Sequence, residues 1–163
     1  MAKSVKTAAK KAGVKKNASG KISSKKQSKT IKYSDKSTDQ PELVPIFNEI
    51  RKMLLGCVKG TIKIQEDSAG QIHLYSKKQI EVSGKKRDEI YFASAMVQKG
   101  YVGFYLMPVY SDVFLVKEIA PELLKCLKGK SCFHIKKLDE TLKGQIQNAL
   151  EAGYSCFEKK GWV

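Results

Sequence analysis

Long apolar runs are absent from this sequence, which argues against helices that span a membrane. The apolar runs are short, such as those at residues 53–55 and 113–116, whereas a membrane-spanning helix needs about 20 consecutive apolar residues. The lysine-rich N-terminus has no apolar stretch behind its charges and contains no arginine, so it resembles neither a secretory signal nor a transit peptide. We therefore expect a soluble, cytoplasmic protein without membrane contact.

Acidic residues are also scarce, and the imbalance is concentrated at one end of the chain. The 163 residues carry 31 Lys and Arg against 16 Asp and Glu, a net charge of +15. Residues 1–38 hold 12 lysines and one acid, Asp35, whereas residues 39–163 hold 19 basic and 15 acidic residues. Residues 1–38 have too little apolar surface to offset the entropy of ordering. We predict a disordered tail there, followed by one folded domain at residues 39–163.

The predicted tail carries lysine doublets and lacks aromatic residues. No Tyr, Phe or Trp occurs in residues 1–30, so stacking on bases and sequence reading are not expected from it. A flexible polycation of this kind resembles the tails of histone-like proteins and follows phosphates in DNA or RNA without specificity. The alternative is a solubilising extension, or a charge run that meets acidic partners nonspecifically. The candidate nucleic-acid contacts are Lys10, Lys11, Lys15, Lys16, Lys25 and Lys26.

Signatures of metal, cofactor and catalytic sites are missing as well. The four cysteines, with no secretory signal, suggest free thiols in a reducing compartment. Cys126, Cys132 and His134, with the distant Cys156, do not have the close spacing of structural zinc ligands. Cys132 and His134 are also poorly placed for proton transfer, because they are two residues apart on a predicted strand. We expect no catalytic residue, no metal and no cofactor, and hence a non-enzymatic protein.

Apolar periodicity predicts helices near both ends of the domain. Apolar residues recur at intervals of three and four from Leu43 to Cys57, behind the helix-start residues 39–42. The same spacing runs from Leu142 to Phe157, behind a capping residue, Asp139. A shorter helix is predicted at residues 120–127.

Alternating patterns predict short strands between these helices, joined by tight turns. They lie at residues 61–65, 72–75, 80–82, 89–97, 101–109 and 131–135. Strands in one run, with helices segregated toward the ends, indicate the α+β class. We predict an antiparallel meander of about five strands covered by helices.

Several of these segments resemble a known family. Residues 89–93, 101–110, 127–135 and 157–162, read as EIYFA, YVGFYLMPVY, LKGKSCFHI and FEKKGW, are similar to the YdhG-like family of small bacterial domains of unknown function. The resemblance covers about residues 40–163 and implies a frataxin-like α+β fold. It also implies iron handling, which has been suggested for some members. This chain offers only the acidic pairs 66–67, 88–89 and 139–140 for such hard-oxygen ligation, so we assign iron to no residue.

Two further features of the domain are candidate binding elements. Lys128, Gly129, Lys130 and Ser131 form a glycine-containing exit from the predicted short helix. Such an exit either binds an anion in a small concavity or only caps the helix at Gly129. Alternation splits the aromatic stripe between the two sheet faces, with Phe104 on one and Tyr101 and Tyr105 on the other. We expect both sets to be core, a binding surface being the alternative for one of them.

These observations favour a binding domain of unidentified ligand, with a basic tail that contacts nucleic acid nonspecifically. The alternative is a small-molecule or iron-handling domain of the frataxin-like type, in which the tail is incidental.

Overall fold

A computed structural model describes residues 34–82 and 84–163. The predicted boundary at residue 38 falls inside this part, where Ser37 is buried and Lys36 donates a hydrogen bond to Gln98 at 2.9 Å. Residues 34–38 therefore belong with the folded unit. The six lysines predicted to contact nucleic acid, at positions 10, 11, 15, 16, 25 and 26, lie outside the described residues.

Helices lie near both ends of the described chain, with most strands between them. No helix among residues 34–82 and 84–163 is long and apolar enough to cross a membrane. The elements are a 3₁₀ turn at Pro41–Leu43, α1 Val44–Leu55, β1 Ile62–Ser68, β2 Gln71–Ser76, β3 Ile80–Val82, β4 Lys85–Arg87, β5 Ile90–Gln98, β6 Tyr101–Leu106, α2 Met107–Ser111, α3 Val113–Glu118, α4 Pro121–Cys126, β7 Cys132–Ile135 and α5 Glu140–Lys159.

Five of the strands form one antiparallel sheet in the order β1-β2-β5-β6-β7. The predicted α+β class and the five-stranded antiparallel sheet are thereby confirmed. The strand at residues 80–82 was predicted to continue the meander, which is wrong. Its backbone pairs with residues 85–87 in a separate two-stranded hairpin and not with the five-stranded sheet.

The end of β6 differs from the predicted strand at residues 101–109. Leu106 is the last strand residue, and α2 begins at Met107. Pro108 causes the change, since its fixed φ suits the first turn of a helix and it has no N–H to donate to a strand neighbour. The C-terminal helix was predicted well: Asp139 caps α5 by accepting a hydrogen bond from the Leu142 N–H at 2.8 Å.

The core lies between one face of the sheet and the long helices α1 and α5. Phe92, Phe104 and Phe133 point from three neighbouring strands and are fully buried. Phe157 of α5 meets Phe92 edge to face, with ring centres 5.2 Å apart. Burying a side chain of this size stabilises the fold by about 1.5–3 kcal/mol. The helices of this face thus hold the sheet from one side.

A glycine in α5 permits the closest approach between the helix and the chain leaving β6. A Cβ built at Gly153 would lie 3.1 Å from Pro108 and 3.3 Å from Leu106, both of which are buried. Gly144 lies in the same helix with nothing within 4 Å of such a Cβ. Alanine substitutions at these two positions therefore distinguish the effect of packing on stability from that of helix propensity.

We expect Gly144→Ala to stabilise the protein by up to about 1 kcal/mol, because alanine is the better helix former. Gly153→Ala gains the same propensity but overpacks a buried contact, which costs about 1–3 kcal/mol. It should therefore be less stable than Gly144→Ala by at least about 1 kcal/mol. Urea unfolding of both variants measures the difference. Equal stability would show that α5 does not approach Pro108 as closely as described.

Candidate functional site

The sheet face opposite α1 and α5 carries aromatic side chains that are only partly buried, with polar side chains between them. Strand register places two rows across all five strands, one from Glu66 to Cys132 and the other from Ser68 to His134. We call this surface the open face, and its tyrosine and histidine side chains are all half-buried. Its residues include His73, Tyr75, Tyr91, Ser94, Met96, Tyr101, Gly103, Tyr105, Cys132 and His134.

The expectation that both aromatic sets would be core is therefore wrong for one of them. Phe104 and its neighbours are buried, whereas Tyr101 and Tyr105 are half-exposed. The physical reason is that the long helices cover one face of the sheet. Residues on the other face pack against each other and keep contact with solvent.

A stacked pair of rings lies at the β6–β7 side of the open face. The rings of Tyr101 and His134 are 3.7 Å apart, with an interplanar angle of 12°. Burial lowers the pKa of His134 below its ordinary value, and Lys128 and Lys136 lower it further. The imidazole is therefore neutral near pH 7 and presents a flat, uncharged ring beside two lysines.

The Tyr105 ring lies over the backbone of Gly103, the preceding residue on the same side of β6. A Cβ at Gly103 would lie 2.9 Å from Tyr105 Cε2, so only glycine leaves room for this ring. Burial raises the pKa of Tyr105, and a hydrogen bond with Cys132 raises it further. Gly103 thus supports a planar aromatic surface in the middle of the face.

A second group of rings lies toward the end of the sheet where β5 begins. Tyr75 and Tyr91 are opposite each other in register, with ring centres 5.3 Å apart. The hydroxyl groups of Tyr91 and Ser94 are hydrogen-bonded at 2.5 Å. Burial, above all, raises the pKa of Tyr91. The Tyr91 ring is thus held both by its neighbour on β2 and by its hydrogen bond to Ser94.

Polar side chains order the β1–β2 side. Gln71 donates to the Glu66 carboxylate, and its Oε1 lies 3.3 Å from His73 Nε2. His73 is half-buried, and burial lowers its pKa while Glu66 acts in the opposite sense.

Lysines surround the open face. Lys36 reaches Gln98 beside the β5–β6 turn, and Lys63 pairs in register with Tyr75. Lys128 and Lys136 lie close enough to affect the pKa of His134. Aromatic rings within a rim of positive charge suit a ligand with planar groups and anionic links.

The predicted anion-binding segment lies at the edge of the same sheet. The expected helix cap at Gly129 is wrong: α4 ends at Cys126, and Leu127 is already extended and bridged to Phe133. Gly129 has a φ of +88° and lies in the turn that leads into β7. The Lys128 N–H donates to the Cys132 carbonyl at 2.7 Å, while Lys130 extends toward the Tyr110 ring. Anion binding by Lys128, Gly129, Lys130 and Ser131 stays a prediction.

The cysteines offer little chemistry in this arrangement. All four are free thiols, and burial raises the pKa of each of them, that of Cys57 to about 11. Thiols with raised pKa values are poor nucleophiles at neutral pH. Among the residues that the structure describes, no group of three His, Cys, Asp or Glu side chains could hold a metal ion.

The fold and the site define a one-sided antiparallel α+β domain with an aromatic, lysine-rimmed sheet face. Comparisons with protein-family models, with curated proteins and with solved structures find no match for this chain.

We expect Gly103→Ala to displace the Tyr105 ring while leaving the fold intact. The added methyl group meets the far end of a side chain that can rotate away, so the free energy of unfolding should fall by only about 1 kcal/mol or less. Displacement of the ring should expose the Cys132 thiol. Peptide mapping after thiol alkylation would detect this exposure as faster modification of Cys132. Gly144→Ala is the control. An unchanged rate at Cys132 would contradict this account of the face.

Proposed function

We propose that this protein is a non-enzymatic nucleic-acid-binding protein. Its domain stacks unpaired bases on the open face, and its lysine-rich N-terminal segment adds nonspecific contacts to phosphates. The observation that carries the proposal is the stacked Tyr101–His134 pair on a half-exposed sheet face beside Lys128 and Lys136. Four free thiols support a reducing, cytoplasmic setting.

Stacking explains why this face is aromatic without being buried. Each base that stacks on an aromatic side chain gains about 1–3 kcal/mol, whatever the base, because every base has a π face. Tyr101 and Tyr105 lie four residues apart on β6, on the same side of the sheet. Unpaired bases of one strand can occupy such positions, whereas a duplex keeps its bases stacked inside.

Charge provides the second part of the binding energy. Residues 1–38 carry 12 lysines, and each lysine that meets a phosphate releases a counterion. The rim lysines of the domain would fix the backbone around the face. If stacking and charge contribute in this way, the domain supplies the preference for single strands and the N-terminal segment supplies additional affinity.

The resemblance to the YdhG-like family and its frataxin-like topology is part of this proposal. It is compatible with an antiparallel sheet covered by helices on one face. Iron handling, which the resemblance raised as part of the alternative function, has no support from a carboxylate cluster in the described residues.

We expect Tyr101→Ala to weaken binding of a fluorescent oligo(dT) single strand about ten-fold, through loss of one stacking platform. The matched control is Phe114→Ala, which removes an aromatic side chain that is 69% exposed on α3, away from the open face. Fluorescence anisotropy of the full chain measures both. An equal loss in the two variants, or no loss in Tyr101→Ala, would remove the open face from the binding site.

A salt series separates the two parts of the proposed function. The full chain should bind oligo(dT) more tightly than residues 34–163 and lose affinity more steeply with salt, because it carries the additional lysines. The shorter chain should retain a preference for single-stranded over duplex DNA. If it binds neither form, the domain has no part in nucleic-acid binding.

Binding should also strengthen several-fold as the pH falls through the pKa of His134 in the complex toward its lower pKa in the free protein. In the free protein the pKa of His134 is lowered, and a phosphate beside it would raise the pKa in the complex. The complex therefore takes up a proton that the free protein does not hold, so lower pH favours binding. His134→Gln keeps a planar polar group and should lose this part of the pH dependence. A pH profile identical to that of the unmodified protein would place phosphate away from His134.

A further inference from the structure

A cavity with a volume of about 630 Å³ lies at the end of the sheet where β5 begins. Four aromatic side chains line it: Tyr75 and Tyr91 from the sheet, Tyr110 from α2, and Trp162 beyond α5. Cavities that hold small organic ligands have volumes of about 300–1,000 Å³, with mostly apolar walls and a few polar groups. The size and the aromatic wall are therefore those of a small-molecule site.

The segment that follows α5 supplies one side of this wall. Gly161, at a φ of +67°, reverses the chain after α5 and lets the Trp162 N–H donate to the Phe157 carbonyl at 2.8 Å. Trp162 then meets the Phe157 ring edge to face, and its own carbonyl accepts from the Ser76 hydroxyl at 2.6 Å. The helix thus holds the indole ring through Phe157, and the sheet holds the Trp162 backbone through Ser76.

The charge around the rings disfavours a cationic ligand. Lysines already lie against three of the four rings, so a bound cation would be repelled by the ammonium groups of the protein. These pairs are Lys77 with Tyr75, Lys130 with Tyr110 and Lys160 with Trp162, at 5.6, 5.0 and 5.0 Å from Nζ to the ring centre.

Two carboxylates at the cavity wall, Asp88 and Glu89, would repel an anionic ligand unless nearby cations offset their charge. Lys77 forms an ion pair with Glu89, which leaves Asp88. Arg87 lines the same cavity, and within the described part of the chain neither Arg87 nor Lys130 takes part in an ion pair. Arg87 at the wall and Lys130, which lies over the ring of the wall residue Tyr110, are thus two cations outside ion pairs, against one carboxylate, Asp88.

We propose that this cavity binds a small planar aromatic molecule with one anionic group, a phosphate or a carboxylate. Its ring lies among the four aromatic side chains, and its anionic group meets Arg87 and Lys130. Planar rings stack on Tyr and Trp, and a guanidinium group donates paired hydrogen bonds to phosphate or carboxylate oxygens. This site does not require nucleic-acid binding by the open face.

Trp162 is the only tryptophan of the chain and lines the cavity, so its fluorescence reports binding directly. Two matched ligand pairs test the charge: adenosine monophosphate against adenosine, and hydroxyphenylpropionate against tyramine, which bears the same ring with a positive charge. Calorimetry on the full chain accompanies each titration. We expect saturable quenching by at least one anion at millimolar concentration or below, with at least a several-fold preference for that anion over its matched partner. Which anion binds separates a phosphate ligand from a carboxylate ligand.

Three variants locate the anionic group. Arg87→Gln and Lys130→Gln should each weaken the anion about ten-fold, the expected loss of a charged hydrogen bond, and leave adenosine unchanged. Lys125→Gln, on an exposed lysine of α4 away from the cavity, is the control and should have no effect. The proposal is overturned if neither anion binds by fluorescence or calorimetry, if tyramine binds more tightly than hydroxyphenylpropionate, or if Lys125→Gln weakens binding as much as Arg87→Gln. Normal oligo(dT) binding in these variants would leave the function of the open face standing in each case.

Discussion

The burial of one face of the five-stranded sheet by α1 and α5 is the constraint on which the other features depend. Phe92, Phe104 and Phe133 are buried against these helices, and Phe157 of α5 completes the cluster. Because successive side chains of a strand point to opposite faces, this burial also decides which residues face the other way. The open face exists because the helices lie on one side only.

Side chains left on the open face satisfy each other without forming a second core. The Tyr101 ring stacks on His134, Tyr105 lies over Gly103, and Tyr91 shares a hydrogen bond with Ser94. A surface ordered in this way loses little conformational entropy when a planar ligand stacks on it, which is the physical advantage of preorganisation. The cavity beside Trp162 uses the same rings, Tyr75 and Tyr91, at the margin of the face. The two proposed sites are therefore neighbours that can be tested separately.

Much of the fold could be predicted because its signals are local. The spacing of three and four after Asp139 reports burial of one side of α5. The apolar run before Gln98 agrees with β5, in which residues 92–95 are all buried. The errors occurred where a neighbour decided the outcome. Residues 80–82 alternate like a sheet strand but pair only with residues 85–87. Residues 107–109 continue the apolar pattern of β6, but Pro108 favours a helix.

By itself, the sequence determined the α+β class, the antiparallel sheet, the free thiols and the concentration of lysine in residues 1–38, since all of these follow from composition or from short-range pattern. Only the tertiary structure decided which aromatic residues are exposed and which of them meet. Tyr101 and His134 are separated by more than thirty positions in the sequence, as are Arg87 and Trp162. They come together because strand register and the turn at Gly161 are products of packing across the whole domain. No local pattern carries that information.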